Sequence, residues 1–108
     1  GRDYKAGEII FDEGEKGSEM FYILSGSVRL IKKGQALRVM QKGEYFGEMA
    51  LLIGTPRTTG AQAEEANTSL AVITPENFET LLREEPKISI SFLKEMASRL
   101  KKTNEILL

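Results

Sequence analysis

From Gly7 to Ile73 the chain leaves room for no more than one short helix, and this limits the fold more than anything else in it. Short apolar runs alternate with glycines and charged pairs instead, the pattern of many short strands joined by turns. The runs predict strands at Ile9–Phe11, Met20–Leu24, Ser27–Ile31, Leu37–Met40, Thr58–Ala63 and Ser69–Ile73. Turns are expected at Asp12–Gly14, Glu15–Gly17, Ser25–Gly26, Lys32–Gly34, Lys42–Glu44 and Glu65–Asn67, where residues suited to tight backbone conformations gather. Gly26 and Gly43 are further expected to let the roll close. A mainly β fold follows, an antiparallel β-roll of the jelly-roll-like, double-stranded β-helix kind.

After Ile73 the period changes. Thr74 can cap a helix, Pro75 suits its first position, and Phe78, Leu81 and Leu82 share one face, so a helix is expected from Pro75 to about Glu84. Pro86 stops it and opens another, running towards Leu108 on Ile88, Phe92, Leu93, Met96, Leu100 and Leu107. Within that helix Leu93, Met96, Leu100, Thr103 and Leu107 fall at the three- and four-residue steps of a coiled-coil seam, a candidate homodimer contact; one broad core-facing stripe is the competing reading. The organisation expected is one domain over 1–108: a roll over 1–73, a short helix over 74–85 and a hinge or dimer helix over 86–108, with a short internal helix inside the roll.

Composition removes several chemistries. The 108 residues, 41% of them apolar, suit one modest core. Lys and Arg number 15 against 16 Asp and Glu, so no overall field draws the chain to nucleic acid or an anionic membrane, and any anion site must be local. With neither Cys nor His, disulfides, thiolate or imidazole metal sites, a cysteine nucleophile and the usual proton shuttle are excluded. The usual ligands for haem or an iron–sulfur cluster go with them. A metal enzyme on a cupin-like roll would have to draw its ligands from scattered carboxylates. No apolar run reaches the roughly 20 residues that span a bilayer, the start lacks a signal-peptide core, and a reducing cytoplasmic setting is the expectation. No cofactor is expected. Without a helix-turn-helix unit, direct DNA reading is not expected within this chain either.

One stretch carries recognisable chemistry, from Phe46 through Gly47, Glu48, Met49, Ala50 and Leu51 to Arg57, Thr58 and Thr59. A glycine admits a ligand close to the backbone, a short apolar helix offers free N–H groups at its start, and an arginine follows on the return strand; together they are the parts of a phosphate cradle. Arg57 can meet two phosphate oxygens with its forked guanidinium. Glu48 can read a hydroxyl lying between it and the phosphate, and Thr58 adds a hydroxyl beside the arginine. Taken alone, Arg57 and Glu48 read first as a surface or partly buried salt bridge; it is the combination with the glycine and the short helix that points to a ligand.

These residues resemble the cyclic-nucleotide-binding domain of catabolite-activator-type (Crp/Fnr) transcription regulators, cyclic-nucleotide-dependent kinases and gated channels. The family's phosphate-binding cassette is matched by Phe46–Leu52 and Pro56–Thr58, within an expected span of 46–63. Its early roll motif is matched by Gly14, Gly17, Met20–Ile23 and Gly26. The resemblance implies that Arg57 and the Gly47–Leu51 backbone hold a cyclic phosphate, that Glu48 accepts from the ribose 2′-hydroxyl, and that Thr58 contacts phosphate or base. Met96–Glu105 resembles the central helix of the bacterial regulators, which makes Thr103 and Asn104 candidate base contacts. The ligand implied is cyclic AMP, or cyclic GMP, since a threonine after the cassette arginine also occurs in guanine-responsive relatives. Thr59 stands where the family usually has alanine and Gly60 where it often has a β-branched or hydroxyl residue. The usual helical lead-in is missing or very short, as expected of a domain cut from a longer protein. A sensor without catalytic activity is implied, with an interaction domain carrying a vestigial pocket as the alternative. The pair Lys32–Lys33 reads as a solvated hairpin tip, Lys101–Lys102 as a helix-end charge pair, and Phe11, Phe21 and Tyr22 as core.

Overall fold

The computed structural model describes residues 1–107, with side chains described as far as Asn104. Two compact units are present, Gly1–Pro75 and Glu76–Leu108. In the first, the strands are β1 (Arg2–Tyr4), β2 (Ile9–Phe11), β3 (Met20–Ser25), β4 (Ser27–Lys32), β5 (Gln35–Gln41), β6 (Tyr45–Phe46), β7 (Gly60–Ala63) and β8 (Thr68–Ile73), with one helix, α1 (Glu48–Ile53), between β6 and β7. They form two four-stranded sheets, β1-β8-β3-β6 and β2-β7-β4-β5, and every pairing is antiparallel.

Strand alternation decides what lies between the sheets. Phe21, Ile23, Phe46 and Leu70 from one sheet and Phe11, Val28, Met40 and Ala61 from the other make a single buried cluster. The rings of Phe21 and Phe46 stack at 5.1 Å, and that of Phe11 lies 5.9 Å and 6.0 Å from them. Phe11 and Phe21 are therefore core, as the sequence suggested, whereas Tyr22 packs beside Tyr45 at 4.9 Å.

The roll closes around Gly26. A Cβ there would lie 2.4 Å from Thr68 Oγ1 and 2.7 Å from Thr68 Cα, and the residue adopts φ 78°, so only glycine fits. The fully buried Thr68 hydroxyl donates to the carbonyls of Ser27 and Glu65 at 3.2 Å and 3.0 Å. At Gly43 the expectation of a closing role fails: a Cβ would meet only Tyr22 Oη at 4.0 Å, and its positive φ of 89° serves the turn alone.

Strands depart from expectation most at β1, β6 and β7, while β3, β4, β5 and β8 run one or two residues past the expected bounds. β1 and β6 were not anticipated, because Arg2–Tyr4 is polar and β6 has two residues; pairing with β8 and β3 makes them strands. Thr58 and Thr59 were expected to begin β7, which starts at Gly60 opposite Ile31. The backbone just before it is committed elsewhere: Arg57 O accepts from Gly14 N at 2.8 Å and Thr58 O from Lys32 Nζ at 2.9 Å.

The second unit consists of α2 (Pro75–Glu84), begun one residue earlier at the boundary, and α3 (Pro86–Leu107), both as the prolines led one to expect. Phe78 and Phe92 meet edge to face at 5.5 Å. The expected seam residues Leu93 and Leu100 are exposed, each at 62%, and the side chain of Leu107 lies outside the described residues. Among the described residues no helix is long and apolar enough to cross a membrane.

Candidate functional site

Arg57 sits in the strap between α1 and β7. It is 6% exposed, the one arginine of the roll buried in this way among the described residues. Its backbone is gripped on both sides, with Arg57 N donating to Glu15 O and Gly14 N donating to Arg57 O, each at 2.8 Å. Its Nη1 donates to the carbonyls of Glu19 at 2.7 Å and Gly47 at 3.3 Å. The guanidinium carbon lies 4.2 Å from the centre of the Phe11 ring, in cation–π range.

The anchors are neutral groups, so they orient the guanidinium without cancelling its charge. Burial pushes its pKa down from the ordinary arginine value, and the fields of Glu19 and Glu15 offset part of that. Its Nε is buried and, among the described residues, has no hydrogen-bond partner. A desolvated cation with a donor to spare is costly when empty and favours an anion.

Two glycines make room for it. Gly47 precedes α1 in the left-handed region at φ 79°, and a Cβ there would lie 2.9 Å from Arg57 Nη1. Gly17, expected only to form a turn, does more: a Cβ on it would lie 2.7 Å from Arg57 Nη2 and 2.9 Å from Nε. The signal for this in the sequence is the place of Gly17 in the matched early roll motif. The Phe11 ring and the Glu19 carbonyl are further parts that the sequence did not reveal.

The remaining expected residues divide by environment. Phe46 and Ala50 are buried at 1% and 4%, so their side chains belong to the core, Phe46 at the end of β6 and Ala50 within α1. Gly47, Glu48 and Leu51 are partly buried, and Met49 is exposed at 43%. Thr58 is exposed and Thr59 partly buried beside Arg57 in sequence, and Gly60 is buried. Thr103 and Asn104 are exposed on α3 in the second unit, where the Thr103 hydroxyl donates to Arg99 O at 3.1 Å. Elsewhere a hollow of about 390 Å³ opens among Asp3, Tyr4, Lys5, Glu8, Ser25 and Ala66–Ser69, with none of the cassette residues in its lining. Among the described residues no group of carboxylates is arranged to hold a metal ion.

A β-roll that holds a buried, backbone-anchored arginine beside a glycine-led helix is the architecture of a regulatory ligand-binding module. A family model described as cyclic nucleotide-binding domain matches residues 1–85. The chain belongs to the cyclic nucleotide-binding domain family. It is 38% identical over 80 residues to a cGMP-dependent protein kinase of Toxoplasma gondii, covering 74% of this chain and 8% of the kinase. It is 39% identical over 79 residues to a cAMP-dependent protein kinase regulatory subunit of Mycosarcoma maydis, covering 68% of this chain and 15% of that subunit. The Thermus thermophilus catabolite activator protein superposes with a TM-score of 0.86 at 32% identity, over 98% of this chain and 52% of that one. The chain thus spans a small part of the kinase relatives' length.

Proposed function

We propose that this chain is a sensor domain that binds a 3′,5′-cyclic purine nucleotide, cyclic AMP by preference, and regulates an effector by favouring one of two conformations. The observation that carries this reading is the Arg57 guanidinium, buried and oriented by carbonyls with its Nε unpaired. In the bound state Arg57 and the Gly47–Leu51 backbone hold the cyclic phosphate, and Glu48 accepts from the ribose 2′-hydroxyl. Phe46, Met49, Ala50 and Thr59 shape the wall, while Thr103 and Asn104 contact the base. A transcription regulator of the catabolite-activator type is the effector favoured by the resemblance of Met96–Glu105, and α3 is its dimer contact. The kinase relatives supply the competing attachment.

One observation favours cyclic GMP as a second reading: Thr58 stands exposed directly after Arg57, free of the core and able to offer its hydroxyl to a guanine edge. Thermal unfolding with each nucleotide tests both. At a free concentration about 100 times Kd a ligand adds roughly 2.7 kcal/mol, which for a chain of this size raises Tm by on the order of 10 °C or more. The nucleotide giving the larger shift at equal concentration is the preferred one. No shift with either at millimolar concentration would leave the vestigial-pocket alternative standing and the sensor reading refuted.

A further inference from the structure

Lys32 belongs to what the sequence presents as a solvated hairpin tip, yet its ammonium reaches the strap that carries Arg57. The β4–β5 turn places Lys33 at φ 50° and Gly34 at φ 77°, the paired left-handed residues of a tight hairpin, and so sets the point at which the Lys32 side chain leaves the sheet. From there Lys32 Nζ donates to Thr58 O at 2.9 Å. The same ammonium faces Glu13 Oε2 at 3.6 Å, while Glu13 Oε1 accepts from Lys33 N at 2.8 Å. Glu13 is followed immediately by Gly14 and Glu15, the residues that hold the Arg57 carbonyl and amide. Consecutive carbonyls, of Arg57 and Thr58, are thus gripped from two elements that are themselves tied together through Glu13.

We propose that Lys32, braced by Glu13, is a positioning residue for the cyclic-nucleotide site, holding the Arg57–Thr58 strap in its binding conformation before ligand arrives. The inference rests on the function proposed above. Pre-organising a loop raises affinity by lowering the ordering cost at binding. The Lys32 side chain is 45% exposed, so its contacts are screened and the effect is moderate.

The test uses the full chain carrying Lys32→Met, Lys32→Arg or Glu13→Gln, with calorimetry for cyclic AMP and cyclic GMP and amide hydrogen exchange without nucleotide. Lys32→Met is expected to weaken Kd by about 3–10-fold, Glu13→Gln by less, and Lys32→Arg to restore it to within about twofold, as charged hydrogen bonds at a half-exposed site imply. In the unliganded chain, amides of residues 57–60 should exchange about 3–10-fold faster in Lys32→Met while those of β3 and β8 keep their rates. Unchanged exchange across 57–60 overturns the brace whether or not nucleotide binds. So does an unchanged Kd in Lys32→Met, or a Lys32→Arg protein as weak as Lys32→Met. A wild-type chain that takes up neither nucleotide overturns the proposed function, and the exchange experiment still decides the brace.

Discussion

Arg57 is a cation that burial disfavours and that four neighbours hold in place, the Glu19 and Gly47 carbonyls, the Phe11 ring and the glycine surface at Gly17. A residue kept at that cost has more to offer a bound anion than the empty fold. Arg57→Met retains much of the stem and removes the charge. We expect it to cost nucleotide affinity about 3–5 kcal/mol, roughly two to four orders of magnitude in Kd, because the buried phosphate is left unpaired. The unliganded protein should melt at an unchanged or higher temperature, since a desolvated cation has gone. Calorimetry and a melt on the same sample check it, and undiminished affinity would remove Arg57 from the site. Arg57 and the glycine before α1 were legible in the sequence because a forked cation after a glycine-led apolar turn is a local pattern. Gly17, Glu13 and Lys32 were not, because each acts on a residue many positions away.

At the scale of elements, α1 shows how a six-residue helix is placed. Left-handed glycines bound it at both ends, Gly47 at φ 79° and Gly54 at φ 70°, and Gly54 N closes it on Ala50 O at 3.2 Å. The two positions share a backbone demand and differ in surroundings: a Cβ on Gly54 meets open space, one on Gly47 meets Arg57 Nη1. Gly54→Ala should therefore cost only the left-handed strain of roughly 1–2 kcal/mol and leave affinity alone. Gly47→Ala should cost at least as much stability and also weaken nucleotide binding by displacing the guanidinium. Urea titration and calorimetry on both variants separate the effects; equal affinities would show that Gly47 serves only the turn. Elements with a clear apolar period, such as β3, β8, α2 and α3, could be read directly. The Thr58–Thr59 segment, expected to begin a strand, is not one: the Arg57 carbonyl just before it serves Gly14 N and that of Thr58 serves Lys32 Nζ, in place of a sheet ladder.

For the molecule as a whole, the exposed face of α3 bears on association. Leu93 and Leu100 are each 62% exposed at seam spacing on α3, and two heptads are marginal for a stable coiled coil. A homodimer through this face is expected to sediment at twice the 12.0 kDa chain mass at high concentration, and Leu93→Glu with Leu100→Glu to return it to the monomer. A monomer at every concentration would leave the exposed leucines without that role. The class of fold and the place of Arg57 after a glycine-led apolar turn follow from local signals. Strand alternation, helix period, proline and glycine punctuation act over a few neighbours and are written in order along the chain. How Arg57 is held emerges only on folding: the carbonyls beneath it, the aromatic ring under it, and the hairpin tip bonded to its strap. Those depend on which distant strands pair and in what register, and pairing energy comes from burying two faces against each other, a quantity that no single stretch of sequence contains.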